Sequence, residues 1–388
     1  MVNYFQSPTK IFFGENEEKN VGTYIKQFGF KRILLVYGKS SAKKSGLYDI
    51  VINSLKENII IFNEISGIEA NPTLEKVNEG IDVYKKEAFE LVLAVGGGSV
   101  IDTCKLIAHG VFYDGNPFDF NLHLLKPKKA LPIGVILTIP AAGSELSTSC
   151  VIQDLETKVK SGFNSETNRP LFVIENPSLT KNLPFKQIAF GITDILSHSM
   201  ERYFSPSNEN EFADYMALSL MKATVDAAHI LLEDFNNMNA RKTLLLASSF
   251  SHNGFTSIMK EYQMPVHQLE HVLSGRHQEI AHGEGLAILF PCWMKETYRY
   301  DTKKFAKFAE VVFNVNEEDV SKAAYEGIKA YETFLNKFGL PNSLIALGIS
   351  EDELEIMTQS FATRCIPGIL PLDISLARRV FNRAWKGE

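Results

Sequence analysis

In the first half of the chain, short apolar runs end in glycine or polar residues. Each is followed by a stretch in which apolar positions recur every three to four residues. KRILLVYG (31–38) has the length and the unbroken apolar character of a strand buried on both faces. SAKKSGLYDIVINSLKEN (41–58) follows with helical periodicity, and NIIIFNEI (58–65) predicts the next strand. NPTLEKVNEGIDVYKKEA (71–88) opens on a capping sequence and predicts a helix. ELVLAVGGGSVIDTCKLIAHGV (90–111) predicts strand, glycine turn and helix, and LPIGVILTIPAAGSE (131–145) a further strand and a polar turn. CVIQD (150–154) and PLFVIEN (170–176) predict later strands. This alternation predicts a doubly wound parallel sheet with right-handed crossovers. Beyond residue 183 helical stripes take over, from PFKQIAFGITDILSHSMERYF to Trp385. The expected division is an α/β domain over 1–183 and an all-helical domain over 184–388. The short joint predicts two domains that close on each other over a ligand site.

Composition narrows the functional classes. The chain has 388 residues, 45% of them hydrophobic and 22% charged, with a formal net charge of −6. It carries no basic stripe, so nucleic acid is not an expected partner. Its four cysteines form no Cys-x-x-Cys pair, which fits a reducing cytosol. The N-terminus lacks the charged head and apolar core of a signal peptide. No apolar run reaches the ~18–20 residues that a membrane helix needs. A cytoplasmic protein without a membrane segment is the expectation.

The middle of the chain carries an acid-and-histidine set. Asp194 and His198 are four apart, as are His267 and His271, and positions four apart share one helix face. His277 and His282 follow closely, so four of the nine histidines lie between 267 and 282. Carboxylate and imidazole together suit one divalent metal, Zn or Fe(II). In the first half, VGGGSVID (95–102) ends a strand and opens a helix. Its glycines and helix N-terminus favour a phosphate, with Asp102 expected in the helix's first turn. The usual G-x-G-x-x-G is absent. The first clear strand ends in Gly38, Lys39, Ser40 and Ser41, where an acid would bind the ribose of NAD. A lysine and hydroxyls there favour NADP(H), with NAD as the alternative. Thr138, Ser144 and Ser147 offer hydroxyls at the next strand end. His109, His123, His229 and His252 lack partners at an informative spacing and are expected to be structural or exposed.

In this order the motifs resemble the iron-containing (group III) alcohol dehydrogenases, above all their NADPH-dependent butanol dehydrogenase/aldehyde reductase branch. The resemblance spans nearly the whole chain. It rests on YGKSS, KKSGLYD, NPT (71–73), GGGSVID (96–102) and TIPAAGSE (138–145). It continues through GITDILSHSMERY (191–203), HQLEHVLSG (267–275) and AHGEGLAILFP (281–291). It implies a Rossmann-like first domain and an all-α second domain, an architecture shared with dehydroquinate synthase. It also implies a metal held by Asp194, His198, His267 and His282, with His271 a candidate proton relay. By the same resemblance Gly38, Lys39 and Ser40 lie near the ribose phosphate and Gly97, Gly98 and Ser99 at the pyrophosphate. Thr138, Ser147 and Lys160 come farther along, with Asp102 toward the nicotinamide. The chain departs from the family pattern at Ala142, at Glu175-Asn176, and in the eleven-residue step from His271 to His282, which leaves His277 close by. The implied activity interconverts small primary alcohols and aldehydes, in a homodimer. The alternatives are an NAD/zinc polyol dehydrogenase and a dehydroquinate synthase-like lyase, whose substrate would require several lysines and arginines at the site.

Overall fold

The computed structural model describes residues 4–205 and 210–388. The chain divides into two compact units, one of residues 6–183 and one of residues 184–388 together with Tyr4 and Phe5.

The first unit runs β1 (Lys10–Phe13), α1 (Val21–Gln27), β2 (Arg32–Gly38), α2 (Ser41–Lys44), α3 (Leu47–Glu57), β3 (Ile61–Ile68) and α4 (Leu74–Lys86). It continues through β4 (Leu91–Gly96), α5 (Gly98–Gly110), β5 (Ile133–Leu137), β6 (Ser149–Asp154), β7 (Val159–Asn164) and β8 (Phe172–Glu175). Six strands form one sheet in the order β1-β8-β5-β4-β2-β3, every neighbouring pair parallel. Every residue of β4 is buried, as the unbroken apolar run predicts for a strand covered on both faces. Helices α1 and α3 pack Val21, Ile25, Val51 and Leu55 against Ile33, Leu35, Leu91 and Leu93 of β2 and β4. From β2 the chain steps outward to β3 and then returns to the other side at β4. The strand order therefore reverses between β2 and β4, the point in such sheets where ligands bind beyond the carboxyl ends of the strands.

Several details differ from the sequence expectation. The predicted helix over 41–58 is two helices, broken at Gly46, whose φ is +77°. The strand predicted from Asn58 begins at Ile61, because Asn58 caps α3 and Ile59 takes a left-handed turn conformation, φ +59°. The apolar run CVIQD does not enter the main sheet. As part of β6 it pairs with β7 in an antiparallel hairpin, and Gln153 also bridges to Thr73, its N donating to Pro72 O at 2.8 Å. Strand β1 is short and its ends are exposed, so it lacks a strong strand signal. Its pairing with β8 makes it an edge of the sheet.

The second unit is α6 (Phe185–Tyr203), α7 (Glu211–Glu233), α8 (Met238–His252), α9 (Pro265–Arg276), α10 (His282–Thr297), α11 (Thr302–Phe313), α12 (Val320–Lys337), α13 (Glu351–Gln359) and α14 (Ile374–Lys386). Helix α6 is buried on all sides from Ile188 to Tyr203 and packs against α7, α8 and α10. Proline at the first position of α9, where no backbone donor is needed, pre-sets its start. Phe290 and Trp293 are core, 0% and 1% exposed: the Trp293 ring packs against those of Phe204, Phe290 and Phe305. Among the described residues, no helix is long and apolar enough to cross a membrane.

Candidate functional site

Three helices of the second unit bring the acid-and-histidine set together. Asp194 and His198 stand one turn apart on α6, His267 lies in the first turn of α9, and His282 is the first residue of α10. Around Asp194 Oδ1 the nearest imidazole nitrogens are His198 Nδ1 at 3.5 Å, His282 Nε2 at 3.7 Å and His267 Nε2 at 3.9 Å. Ligand atoms of Asp194, His267 and His282 all lie within 4.8 Å of one another. The His198 ring stacks on that of His267 with centroids 4.7 Å apart. Asp194 Oδ1, His198 Nδ1 and His267 Nε2 are buried and have no hydrogen-bond partner. Buried polar atoms are almost always paired. Here an acceptor oxygen and ring nitrogens face one another at the spacing expected of atoms that each sit ~2.1 Å from one cation. The donor set fits a divalent transition metal.

Glycines make this convergence possible. A Cβ at Gly283 would stand 2.2 Å from Phe190 O, so only glycine lets α10 start this close to α6. A Cβ at Gly285 would stand 3.0 Å from Glu270 Cγ. The HGEG sequence is thus the spatial condition for His282 to reach Asp194. His277, the nearby alternative, turns away: its ring nitrogens lie 3.5 Å from Glu279 and 3.5 Å from Glu353 on α13. His271 is half-buried, with its ring 5.7 Å from that of His282. The set is closed on the Asp194, His198 and His267 side and open toward His271 and His282, whose side chain is 24% exposed.

Electrostatics follow burial. Burial holds His198 well below the ordinary histidine value, helped by His252, His267, Arg202 and His282. That keeps the ring neutral, as a metal ligand must be. Burial opposes a charge on His267 too, but the Asp194 and Glu201 carboxylates outweigh it and raise its pKa.

Four residues of this site were not among the sequence candidates for it. Glu201 Oε1 accepts from His267 N at 2.9 Å and faces His267 Nδ1 at 3.1 Å. Glu270 bonds His282 Nδ1. Arg202, fully buried, donates to His198 O at 2.7 Å. The His252 ring meets that of His198 edge-on at 4.1 Å, so this histidine is part of the site rather than a surface residue. A usable signal existed for the glutamates: Glu201 is seven residues from Asp194, and Glu270 is three from His267, both on the ligand faces of their helices.

The first unit gathers the dinucleotide candidates at the β2/β4 switch point. Gly38 ends β2, and Gly97 and Gly98 join β4 to α5. A Cβ at Gly97 would stand 2.3 Å from Ile139 Cγ2 and one at Gly98 would stand 2.9 Å from Ala142 Cβ, so segment 138–142 packs directly on the turn. At Gly38 the nearest atom would be 3.6 Å away, an ordinary contact. Residues 69–71, between β3 and α4, link the rest. Lys39 pairs with Glu69 at 2.7 Å, Ser99 Oγ bonds Ala70 O, and Lys160 donates to Asn71 Oδ1 at 3.1 Å. Hairpin β6–β7 is what carries Lys160 there. Ser40 precedes α2, and Thr138 N bonds Gly96 O at 3.1 Å just past β5. Lys43 lies over the Tyr37 and Tyr48 rings, 5.4 and 4.8 Å from their centroids.

Asp102 is placed differently from expectation. Helix α5 begins at Gly98, so Asp102 lies beyond its first turn. Its carboxylate accepts from Ser144 Oγ at 2.5 Å and Val151 N at 2.9 Å, and lies 3.6 Å from Lys105 Nζ. Lys105, 0% exposed, also donates to Ser144 O at 2.8 Å and Ser149 O at 2.6 Å, and its Nζ lies 3.3 Å from Ser147 Oγ. Burial pushes Asp102 up and Lys105 down despite their attraction. Asp102 and Lys105 tie α5 to the 144–151 segment.

The fold and donor set define a class: a parallel α/β unit with a phosphate-type glycine turn, followed by a helical unit carrying an Asp/His metal set. Residues 8–177 match the family model for iron-containing alcohol dehydrogenase, and 188–369 match that for the C-terminal region of the Fe-containing alcohol dehydrogenase family. The chain is 37% identical to NADH-dependent butanol dehydrogenase A of Clostridium acetobutylicum, over 98% of this chain and 99% of that one. It is 29% identical to the NADPH-dependent aldehyde reductase YqhD of Escherichia coli, over 97% and 98%. The crystal structure of NADH-dependent butanol dehydrogenase A from Thermotoga maritima superposes with a TM-score of 0.95 at 35% identity, over 99% of this chain and 98% of that one. The chain belongs to the iron-containing alcohol dehydrogenase family. It is an oxidoreductase that acts on alcohols.

Proposed function

We propose that this chain interconverts short primary alcohols and their aldehydes, with one divalent metal and NADP(H). The observation that carries the reading is the buried carboxylate oxygen of Asp194, unpartnered and faced by three imidazole nitrogens at 3.5–3.9 Å. Asp194, His198, His267 and His282 would hold the ion. When bound, the two groups supply Lewis acidity at the carbonyl oxygen and a hydride to or from carbon. The residues do the rest. Neutral His198 and the carboxylate of Asp194 would hold the ion from one face of α6. His271, half-buried beside His282, would pass a proton between the substrate oxygen and water. Gly97, Gly98 and Ser99 offer backbone donors at the N-terminus of α5 to the pyrophosphate, and Thr138 and Ser147 stand beyond them.

Preference for the 2′-phosphate rests on the Gly38-Lys39-Ser40 strand end and on Lys160. The Lys39–Glu69 pair is exposed, at 66% and 48%, and gives up its partner at little cost. Relatives named for NADH make the ratio of the two cofactors the informative measurement. A lyase of dehydroquinate synthase type needs unpaired basic groups for a phosphate and a carboxylate. The candidates are otherwise engaged: Arg202 with His198 O, Lys260 with Asp214, Arg276 with Glu353 and Lys295 with Glu332. Four unbridged cysteines fit a reducing compartment, and a homodimer is proposed as the working assembly.

The test is a spectrophotometric assay with butanal and each reduced cofactor, repeated after chelation and after adding back Fe(II) or Zn(II). The reading predicts oxidation of NADPH that stops with chelator and returns with metal. No turnover of any short aldehyde by metal-loaded protein overturns it.

A further inference from the structure

Two glutamates stand directly behind two of the imidazoles, each on a different helix from the ring it holds. Glu201 of α6, 2% exposed, meets Nδ1 of His267 on α9 at 3.1 Å. Glu270 of α9, 0% exposed, meets Nδ1 of His282 on α10. An ionised carboxylate only accepts hydrogen bonds. Each Nδ1 therefore carries the hydrogen, and each Nε2 turns its lone pair toward Asp194 Oδ1, 3.9 and 3.7 Å away. The glutamates thus link α6 to α9 and α9 to α10 in the order in which those helices deliver ligands.

We infer that Glu201 and Glu270 are positioning residues that lock His267 and His282 in the metal-binding tautomer, and so set how tightly this chain retains its ion. This rests on the metal reading given above. Capping alone does not account for them. Glu201 also accepts the backbone N–H of His267 at 2.9 Å, but a neutral glutamine would cap as well, and a buried charge is costly unless compensated. Three buried carboxylates, Asp194, Glu201 and Glu270, surround the site, and a divalent cation bound there would offset most of their charge. Gly285 preserves the seat of Glu270, since a Cβ there would lie 3.0 Å from its Cγ and 3.3 Å from its Oε1.

The test strips the full-length protein of metal and titrates it with Zn(II) against a competing chromogenic chelator. Wild type, Glu201→Gln, Glu270→Gln and Gly285→Ala are compared, and the melting temperature of each metal-free protein is recorded. Wild type is expected to take one equivalent. Each variant is expected to bind roughly 10–100-fold more weakly, the usual cost of losing such a partner, with metal-free melting close to wild type. A purely structural role would shift the metal-free melting and leave the affinity alone. Unchanged affinity in both glutamine variants overturns the inference. Should a glutamine variant fail to fold without metal, Gly285→Ala decides: wild-type affinity there overturns it. Wild type that binds no Zn(II) strikes instead at the metal reading itself.

Discussion

Asp194 is the residue on which the site turns. Three histidine nitrogens face its Oδ1. Replacing Asp194 or His267 by alanine removes a ligand outright, so metal content and turnover should fall together, by more than the ~10–100-fold typical of a supporting residue. Metal analysis and circular dichroism check this, with the helical signal expected to persist. Normal metal content in both variants would show that the ligands are others. At the cofactor end, Gly38→Asp places a carboxylate where the ribose 2′-oxygen is expected. A side chain fits there, because its first atom would lie 3.6 Å from Ile68 O. The ratio of NADPH to NADH activity should fall by about tenfold or more, the effect of ~1.4 kcal/mol, and an unaltered ratio would remove the argument from the β2 end. The convergence of Asp194, His198 and His267 was legible from spacing and motif. His252 was not, because nothing local ties it to His198; the packing of α8 on α6 brings the rings to 4.1 Å.

The elements carry their own requirements. Helix α10 begins against the backbone of α6, and Gly283→Ala would put a methyl 2.2 Å from Phe190 O. The helices must separate, which should cost on the order of 1–3 kcal/mol of stability and displace His282 from Asp194. A thermal melt and a metal assay read the two consequences, and a variant with wild-type melting and metal content would contradict the close-approach argument. In the first unit, Lys105→Met leaves Asp102 buried beside Ser144 without its cation. Breaking a buried pair from one side costs about 3–5 kcal/mol, so denaturant unfolding should show a loss of that size; a change below 1 kcal/mol would mean that the pair contributes little. Most element types followed from periodicity. The β6–β7 hairpin did not, since CVIQD is apolar enough for a sheet interior yet its strand partner is β7, outside the main sheet. That pairing delivers Lys160 to Asn71, a function no local pattern announces.

At the scale of the whole molecule, metal and stability are linked. The ion would be held by α6, α9 and α10 in the folded chain and by nothing comparable in the unfolded one. Binding should therefore raise stability as RT ln(1 + [L]/Kd), about 2.7 kcal/mol at a hundredfold excess over Kd. Differential scanning calorimetry should show a melting temperature that falls on chelation and climbs with added metal. A melting temperature indifferent to metal, in protein shown to bind it, would place the binding elsewhere.

The sequence by itself determined most of the strands and helices, β1 and β7 excepted, and that the dinucleotide motifs precede the metal motifs. It also determined that Asp194 and His198, and His267 and His271, share helix faces. Those features depend on periods of two and 3.6 residues and on short spacings, all local. Helix spacing left His277 and His282 both near the set and the family resemblance implied His282; the tertiary structure brings His282, not His277, to Asp194. It also decided that Glu201 and Glu270 stand behind the rings, and that Asp102 belongs to Lys105 and Ser144. A helix spacing states which side chains point the same way; it does not state which other helix they will meet. That is settled by close approaches such as Gly283 on Phe190, where the absence of a single Cβ determines the neighbour.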